Sequence, residues 1–172
     1  MKMFVTLLLL CASAVCFGQT PRQFQDWTVG FDDGGNVYAI TTNSSGEAFG
    51  KKCFQSEATC YWMLGSKTRC EMNSQGPALF NADSGSSAHT IQCGQFLTEF
   101  KLYTYIIFDP DQIDSIAANN RGLIGIAYGI GNSLFKVNRF SMAGASDAIA
   151  MMQSLAKAIQ NQRKQDTSSK TL

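Results

Sequence analysis

Four cysteines in the middle of the chain constrain its folding more than any other feature. Cys53, Cys60, Cys70 and Cys93 are spaced by seven, ten and twenty-three residues. Two further cysteines, Cys11 and Cys16, fall in an N-terminal segment that reads as an export leader. There Lys2 precedes an apolar run from Phe4 to Phe17, which polar Gln19-Thr20-Pro21-Arg22 ends at once. A bilayer-spanning helix needs roughly 20 apolar residues, so the run is too short for an anchor. Acylation of Cys16 is the alternative, but Ser13-Ala14-Val15 lacks the residues a lipoprotein site uses. The expectation is cleavage after Gly18 and a periplasmic or secreted mature chain.

Outside the cytosol the four remaining cysteines are expected to pair as disulfides. Zinc is the competing use, but there is no Cys-x-x-Cys spacing and His89 is the single histidine. Of the three possible pairings, Cys53–Cys60 with Cys70–Cys93 is favoured because each closes a loop beside an expected strand. Cys60–Cys70 is the main rival, bridging a short hairpin.

Without Lys2, the 14 Lys+Arg become 13, which balance 13 Asp+Glu. The basic residues are scattered, which argues against a nucleic-acid partner. No motif for a cofactor or a metal is evident. Domains are expected as a leader at 1–18, a single disulfide-stabilised β-rich domain at 19–163, and a polar tail at 164–172 without stable structure.

Strand signals dominate the first two thirds. Trp27–Phe31 and Val37–Thr41 flank Asp32-Asp33-Gly34-Gly35-Asn36, a first hairpin. Asn43-Ser44-Ser45-Gly46 makes the next turn, leading to Ala48-Phe49 and a strand at Cys53-Phe54. Cys60–Leu64 and Thr68–Met72 flank Gly65-Ser66-Lys67 as a second hairpin. Ala78–Phe80 and His89–Cys93 flank Asp83–Ser87 as a third. Lys101–Phe108 reads as a long strand. Pro110 ends it, with Asp109 placed to cap a short helix over Asp111–Ala118. Leu123–Tyr128 and Ser133–Met142 return to strand patterning.

The period then changes. Ile149, Met152, Leu155, Ala156 and Ile159 recur at helical spacing, with Ser146 as cap, predicting an amphipathic helix from Asp147 to near Gln162. The fold class is therefore α+β, mainly antiparallel β: a sheet or two-sheet sandwich with a C-terminal amphipathic helix.

No residue pattern specifies catalysis. His89 follows Asp83, Ser84, Ser86 and Ser87, so a small hydrolase using His89 is one reading, but there is no Gly-x-Ser-x-Gly elbow. Asp109, Asp111 and Asp114 cluster, as do Asp32 and Asp33, and helix-terminal or turn roles account for them. Asp83-Ser84-Gly85 is a fragment of a calcium loop without its later ligands. Aromatics are more informative. Tyr61 and Trp62 must point to opposite faces of a strand, so one of them is available to a partner unless both are covered. Trp27 and Trp62 also suit a core. The expected contact residues are Tyr61, Trp62, Lys67, Arg69 and His89, on disulfide-stapled hairpins.

The two ends of the expected mature chain resemble the invasion-associated locus B family of small exported bacterial proteins. The resemblance rests on Phe24-Gln25-Asp26-Trp27-Thr28-Val29 and on Phe140-Ser141-Met142-Ala143-Gly144-Ala145-Ser146-Asp147-Ala148-Ile149, with Gly125-Ile126-Ala127 before the closing strand. It implies an envelope β-protein and carries over no functional residue, and the Cys53–Cys93 block lies outside it. The functional expectation is a non-enzymatic binding protein whose partner is another protein, of the envelope or a host, without stable membrane insertion after leader cleavage. An inhibitor or immunity protein against an envelope hydrolase is the alternative.

Overall fold

The computed structural model describes residues 20–98, 100–108, 111–131 and 133–169. The expected leader, and the expected cap and stop at Asp109 and Pro110, lie outside the described residues.

Ten strands among the described residues form one antiparallel sheet. In chain order they are β1 (Arg22–Phe24), β2 (Trp27–Phe31), β3 (Val37–Thr42), β4 (Ala48–Phe54), β5 (Thr59–Ser66), β6 (Gln75–Ala82), β7 (Gly85–Leu97), β8 (Leu102–Ile107), β9 (Leu123–Gly129) and β10 (Phe135–Ser141). Helix α1 (Asp111–Asn119) joins β8 to β9, and α2 (Ala145–Ser169) follows β10. The spatial order is β1-β2-β3-β4-β5-β8-β7-β6-β9-β10. This is a single sheet rather than a sandwich, and it curls far enough to bring β10 against β3.

Alternation explains the curl. Trp27 of β2, Phe49 of β4, Trp62 of β5, Phe80 of β6 and Phe140 of β10 all point to the concave face and are fully buried or nearly so. Phe49 stacks on Trp62 at 5.0 Å and contacts Phe140 at 5.6 Å and Phe80 at 6.3 Å, while Trp27 meets Trp62 edge-on at 6.3 Å. Strands from opposite margins of a flat sheet could not share one ring cluster, so burying these rings requires the sheet to close upon itself.

The helices complete the core. Ile113, Ile116 and Ala117 of α1 and Ala148, Ile149, Met152 and Ala156 of α2 are buried against it. Asp114 seats α1, accepting from Trp62 Nε1 at 2.8 Å and pairing with the buried Lys51 at 2.6 Å. Asp114 thus has a structural role. Asp32 likewise pairs with Lys52 at 2.6 Å and accepts from Asn36 within the β2–β3 turn.

The first and third hairpins form as the turn residues imply. The second does not. Residues Thr68–Met72 are not a strand, and β5 pairs with β8 instead. The chain from 67 to 74 must pass β8 and β7 to reach β6, which a tight turn cannot do. Cys70 is pinned to Cys93 along this crossing, and Cys53 faces Cys60 directly across β4 and β5. The favoured pairing is the one present, and Cys60–Cys70 is not. The short β1, which its sequence did not announce, forms by pairing with β2.

Helix α2 begins at Ala145, so Ser146 lies inside it rather than capping it, and Gly144 at φ +88° marks the bend. The helix continues through Ser169, past the expected end near Gln162, so the tail expected to lack structure from Lys164 is helical as far as Ser169. Nothing between Ala145 and Ser169 is a glycine or proline, and Arg163 Nη1 donates to the carbonyl of Gln55 at 3.0 Å.

Both segments quoted for the family resemblance meet in space. Trp27 Nε1 donates to the carbonyl of Ser141 at 2.8 Å, and the Asp26 amide to that of Ala143 at 3.3 Å. A Cβ at Gly144 would stand 2.0 Å from the carbonyl oxygen of Phe24. Gly144→Ala therefore combines a clash with a left-handed backbone and is expected to cost about 2 kcal/mol or more in urea unfolding. A loss under half that would show that this junction does not close the sheet.

Candidate binding surface

Hairpin alternation sends five connections to one end of the barrel-like sheet: those joining β1 to β2, β3 to β4, β5 to β6, β7 to β8 and β9 to β10. Among the described residues eleven large apolar side chains are well exposed, and seven of them lie at this end. They are Met72 on the crossing segment, Phe96, Leu97 and Phe100 on the extension of β7 towards β8, and Ile130, Leu134 and Phe135 around the β9–β10 turn. Phe100 is 60% exposed and Phe135 is 71% exposed, although burial is the usual fate of a phenylalanine. Exposed apolar side chains on loop tips carried by a sheet are a feature that contact surfaces share.

The Cys70–Cys93 bridge fixes the crossing segment to β7, and two backbone bonds reinforce it, Asn73 N to Cys93 O and Cys93 N to Ser74 O, both 2.9 Å. A bulge between Cys93 and Phe96 then turns the end of β7, and Phe96 packs on Tyr103 at 4.7 Å.

Beneath these loops the core becomes polar. Glu47, 1% exposed, accepts at Oε1 from Ser66 Oγ at 2.7 Å, from the Lys67 amide at 2.9 Å and from Lys136 Nζ. Tyr128 donates to Ser66 Oγ at 2.7 Å, and Lys136 also reaches Thr68 Oγ1 at 3.0 Å. Burial alone would raise the Glu47 carboxyl, but the bonds from Lys136, Ser66 and Lys67 outweigh it and hold the group below its ordinary range. Burial pushes the Tyr105 hydroxyl up to about 12, with Tyr128 and Glu47 adding to the effect. The Tyr128 hydroxyl is also raised by burial, against the bond to Ser66 and the charge of Lys136. The cluster ties the β3–β4 turn to β5, β9 and β10 across the interior. Its hydroxyls are buried, held in their un-ionised state and engaged with one another, which suits a structural strut.

The five expected contact residues do not share a surface. Trp62 is fully buried and His89 is 5% exposed, so neither can meet a partner without unfolding its strand. Tyr61 is on the outer face of β5 beside Phe54, at 5.9 Å. Lys67, whose Nζ donates to the Ser45 carbonyl, and Arg69 are exposed at the loop end, roughly 20 Å along the strand from Tyr61. Only Lys67 and Arg69 fall on the exposed apolar end. The phenylalanines there were missed because Phe96 and Phe100 fall between the expected strands and Phe135 within one, and only strand direction reveals which turns share an end.

The hydrolase reading also loses its third member. Ser87 Oγ lies 2.8 Å from His89 Nε2, but His89 Nδ1 faces the carbonyl of Phe108 at 3.3 Å rather than a carboxylate. Asp83 sits elsewhere, against Gly122. Among the described residues no group of three His, Cys, Asp or Glu side chains is placed to hold a metal ion. No helix among them is long and apolar enough to cross a membrane.

The chain is thus an α+β protein built on a curled antiparallel sheet, and its two disulfides accord with an extracytoplasmic place. No protein-family model matches the sequence, and no curated protein matches it either. In fold it is similar to invasion associated protein B from Bartonella henselae, with a TM-score of 0.57 over 80% of this chain and 99% of that one, at 12% identity. At that identity the likeness is one of fold.

Because the Glu47 carboxyl is held low in the folded state, its contribution to stability is present above the unfolded value, about 4.3, and is lost as pH falls through the folded value. Glu47→Gln should cost about 2 kcal/mol near neutrality and flatten the acid limb of a plot of unfolding free energy against pH. Parallel acid limbs for the two proteins would show that the cluster carries no linkage.

Proposed function

We propose that this chain is an exported, non-enzymatic binding protein that engages a partner protein through the loop end of its sheet. The observation that carries the proposal is the gathering of Met72, Phe96, Leu97, Phe100, Ile130, Leu134 and Phe135 at one end, beside Lys67 and Arg69. Aromatic anchors with a polar surround are what a protein contact uses for most of its binding energy. The Cys70–Cys93 bridge limits the entropy such loops lose on binding. Two disulfides favour the periplasm or the cell exterior as the place of action. The solved neighbour is described as invasion associated, which makes a host-cell or envelope component the partner class to try first.

The test is capture from envelope and host-surface extracts by the oxidised protein, alongside Phe100→Asp with Phe135→Asp, and Cys70→Ser with Cys93→Ser. Near-ultraviolet dichroism would report that each variant keeps its aromatic packing. One partner retained by the parent and lost by the Asp variant is expected, with weaker retention by the reduced-loop variant. Equal retention by the Asp variant would move the contact off this end.

A further inference from the structure

A second apolar feature lies away from the loop end, on the outer face of β6, β9 and β10. Outward positions of β9 are Leu123, Gly125, Ala127 and Gly129, so the middle strand carries small side chains along most of its length. Its neighbours carry larger ones. Leu79 and Val137 flank Ala127 in register, and Asn81 and Arg139 flank Gly125. The result is a trough of about 410 Å³ whose floor is glycine and alanine and whose walls are β6 and β10. Leu79, Leu123 and Val137 are each at least half exposed along it.

Its charges are divided between the walls. Asp83 stands on the β6 side and Arg139 on the β10 side, and neither makes an ion pair among the described residues. We infer that this trough is the interface of a homodimer, in which Arg139 of each copy meets Asp83 of the other. The arrangement of charge selects the symmetry. A two-fold axis along β9 lays β6 of each copy over β10 of the other, placing each Arg139 over the second copy's Asn81 and Asp83. An axis across the strands, centred on the same row, lays β10 on β10 and sets Arg139 against itself. Only the first is electrostatically complementary. Leu79 of one copy then faces Val137 of the other across the two small-residue floors, in the aligned manner of packed sheets.

The contact is modest. A face three strands wide and seven residues long covers about 330 Å² on each copy. Doubled, this is about 660 Å², below the roughly 1,200 Å² at which stable specific interfaces begin, so the association is weak and reversible. The dissociation constant is therefore expected in the micromolar range. With the axis along β9 both loop ends point the same way, so the pair presents two contact surfaces to one side, an arrangement that favours avidity for a surface-bound partner.

Sedimentation equilibrium of the oxidised protein from micromolar to near-millimolar concentration tests this. The parent should show a monomer–dimer equilibrium. Arg139→Asp alone and Asp83→Arg alone should each raise the dissociation constant more than about tenfold, since each puts like charges across the axis. Mixing those two variants should restore association as a heterodimer, and the double exchange Arg139→Asp with Asp83→Arg should restore the homodimer. A parent that stays monomeric throughout the range would overturn the inference, as would a dimer indifferent to both reversals or unrestored by the exchange. Partner capture through the loop end is measured separately, with the Phe100 and Phe135 variant, so failure of either proposal is visible without the other.

Discussion

Trp27 closes this fold. Its ring lies in the aromatic cluster shared by β2, β4, β5, β6 and β10, while its indole nitrogen holds the carbonyl of Ser141 at the end of β10. One side chain thus joins an early strand to the last one by both packing and a hydrogen bond. Nearly every other feature assumes that closure. The concave face has one apolar interior only because the sheet margins meet, and α2 starts where it does because Gly144 lets the chain pass against Phe24. An indole donor left unpaired in such an interior would be costly, so burial and the bond to Ser141 support one another.

The two ends of the curled sheet are finished differently. At one end α1 is plugged in by Ile113 and Ile116 and locked by Asp114, which serves both Lys51 and Trp62. At the other end the interior turns polar around Glu47 and is roofed by the 67–74 crossing. That crossing covers a charge-containing cluster instead of an apolar one, and a disulfide supplies part of the constraint that packing supplies at the helical end. The exposed phenylalanines gather at this roofed end, where the turns have no helix above them to bury an apolar tip.

Legibility in the sequence followed the range of the interaction. The β2–β3 and β6–β7 hairpins could be read because glycine and polar turn residues act on their immediate neighbours. The disulfide pairing was readable because a short loop suits Cys53 and Cys60 on adjacent strands, as the structure has them. The hairpin expected around Gly65-Ser66-Lys67 failed for the opposite reason. Its turn residues were suitable, but β5 found a better neighbour in β8, and that competition is settled by side-chain packing across the whole sheet. Trp62 and Tyr61 show the same divide at a candidate site. Alternation says that they oppose one another, and only the curl says which of the two is inside.

What the sequence by itself determined was local: the antiparallel β class with a C-terminal helix, the places of most turns, and a preference among the cysteine pairings. These depend on residues close in the chain or on the two-residue and 3.6-residue periods of strands and helices. The tertiary structure alone decided the order of strands, the inward face of each, and which loops share an end. It therefore also decided that His89 and Trp62 are core while Phe100 and Phe135 are surface. Those outcomes are set by which strands can bury one common aromatic cluster, a condition on contacts between residues a hundred positions apart that no local pattern encodes.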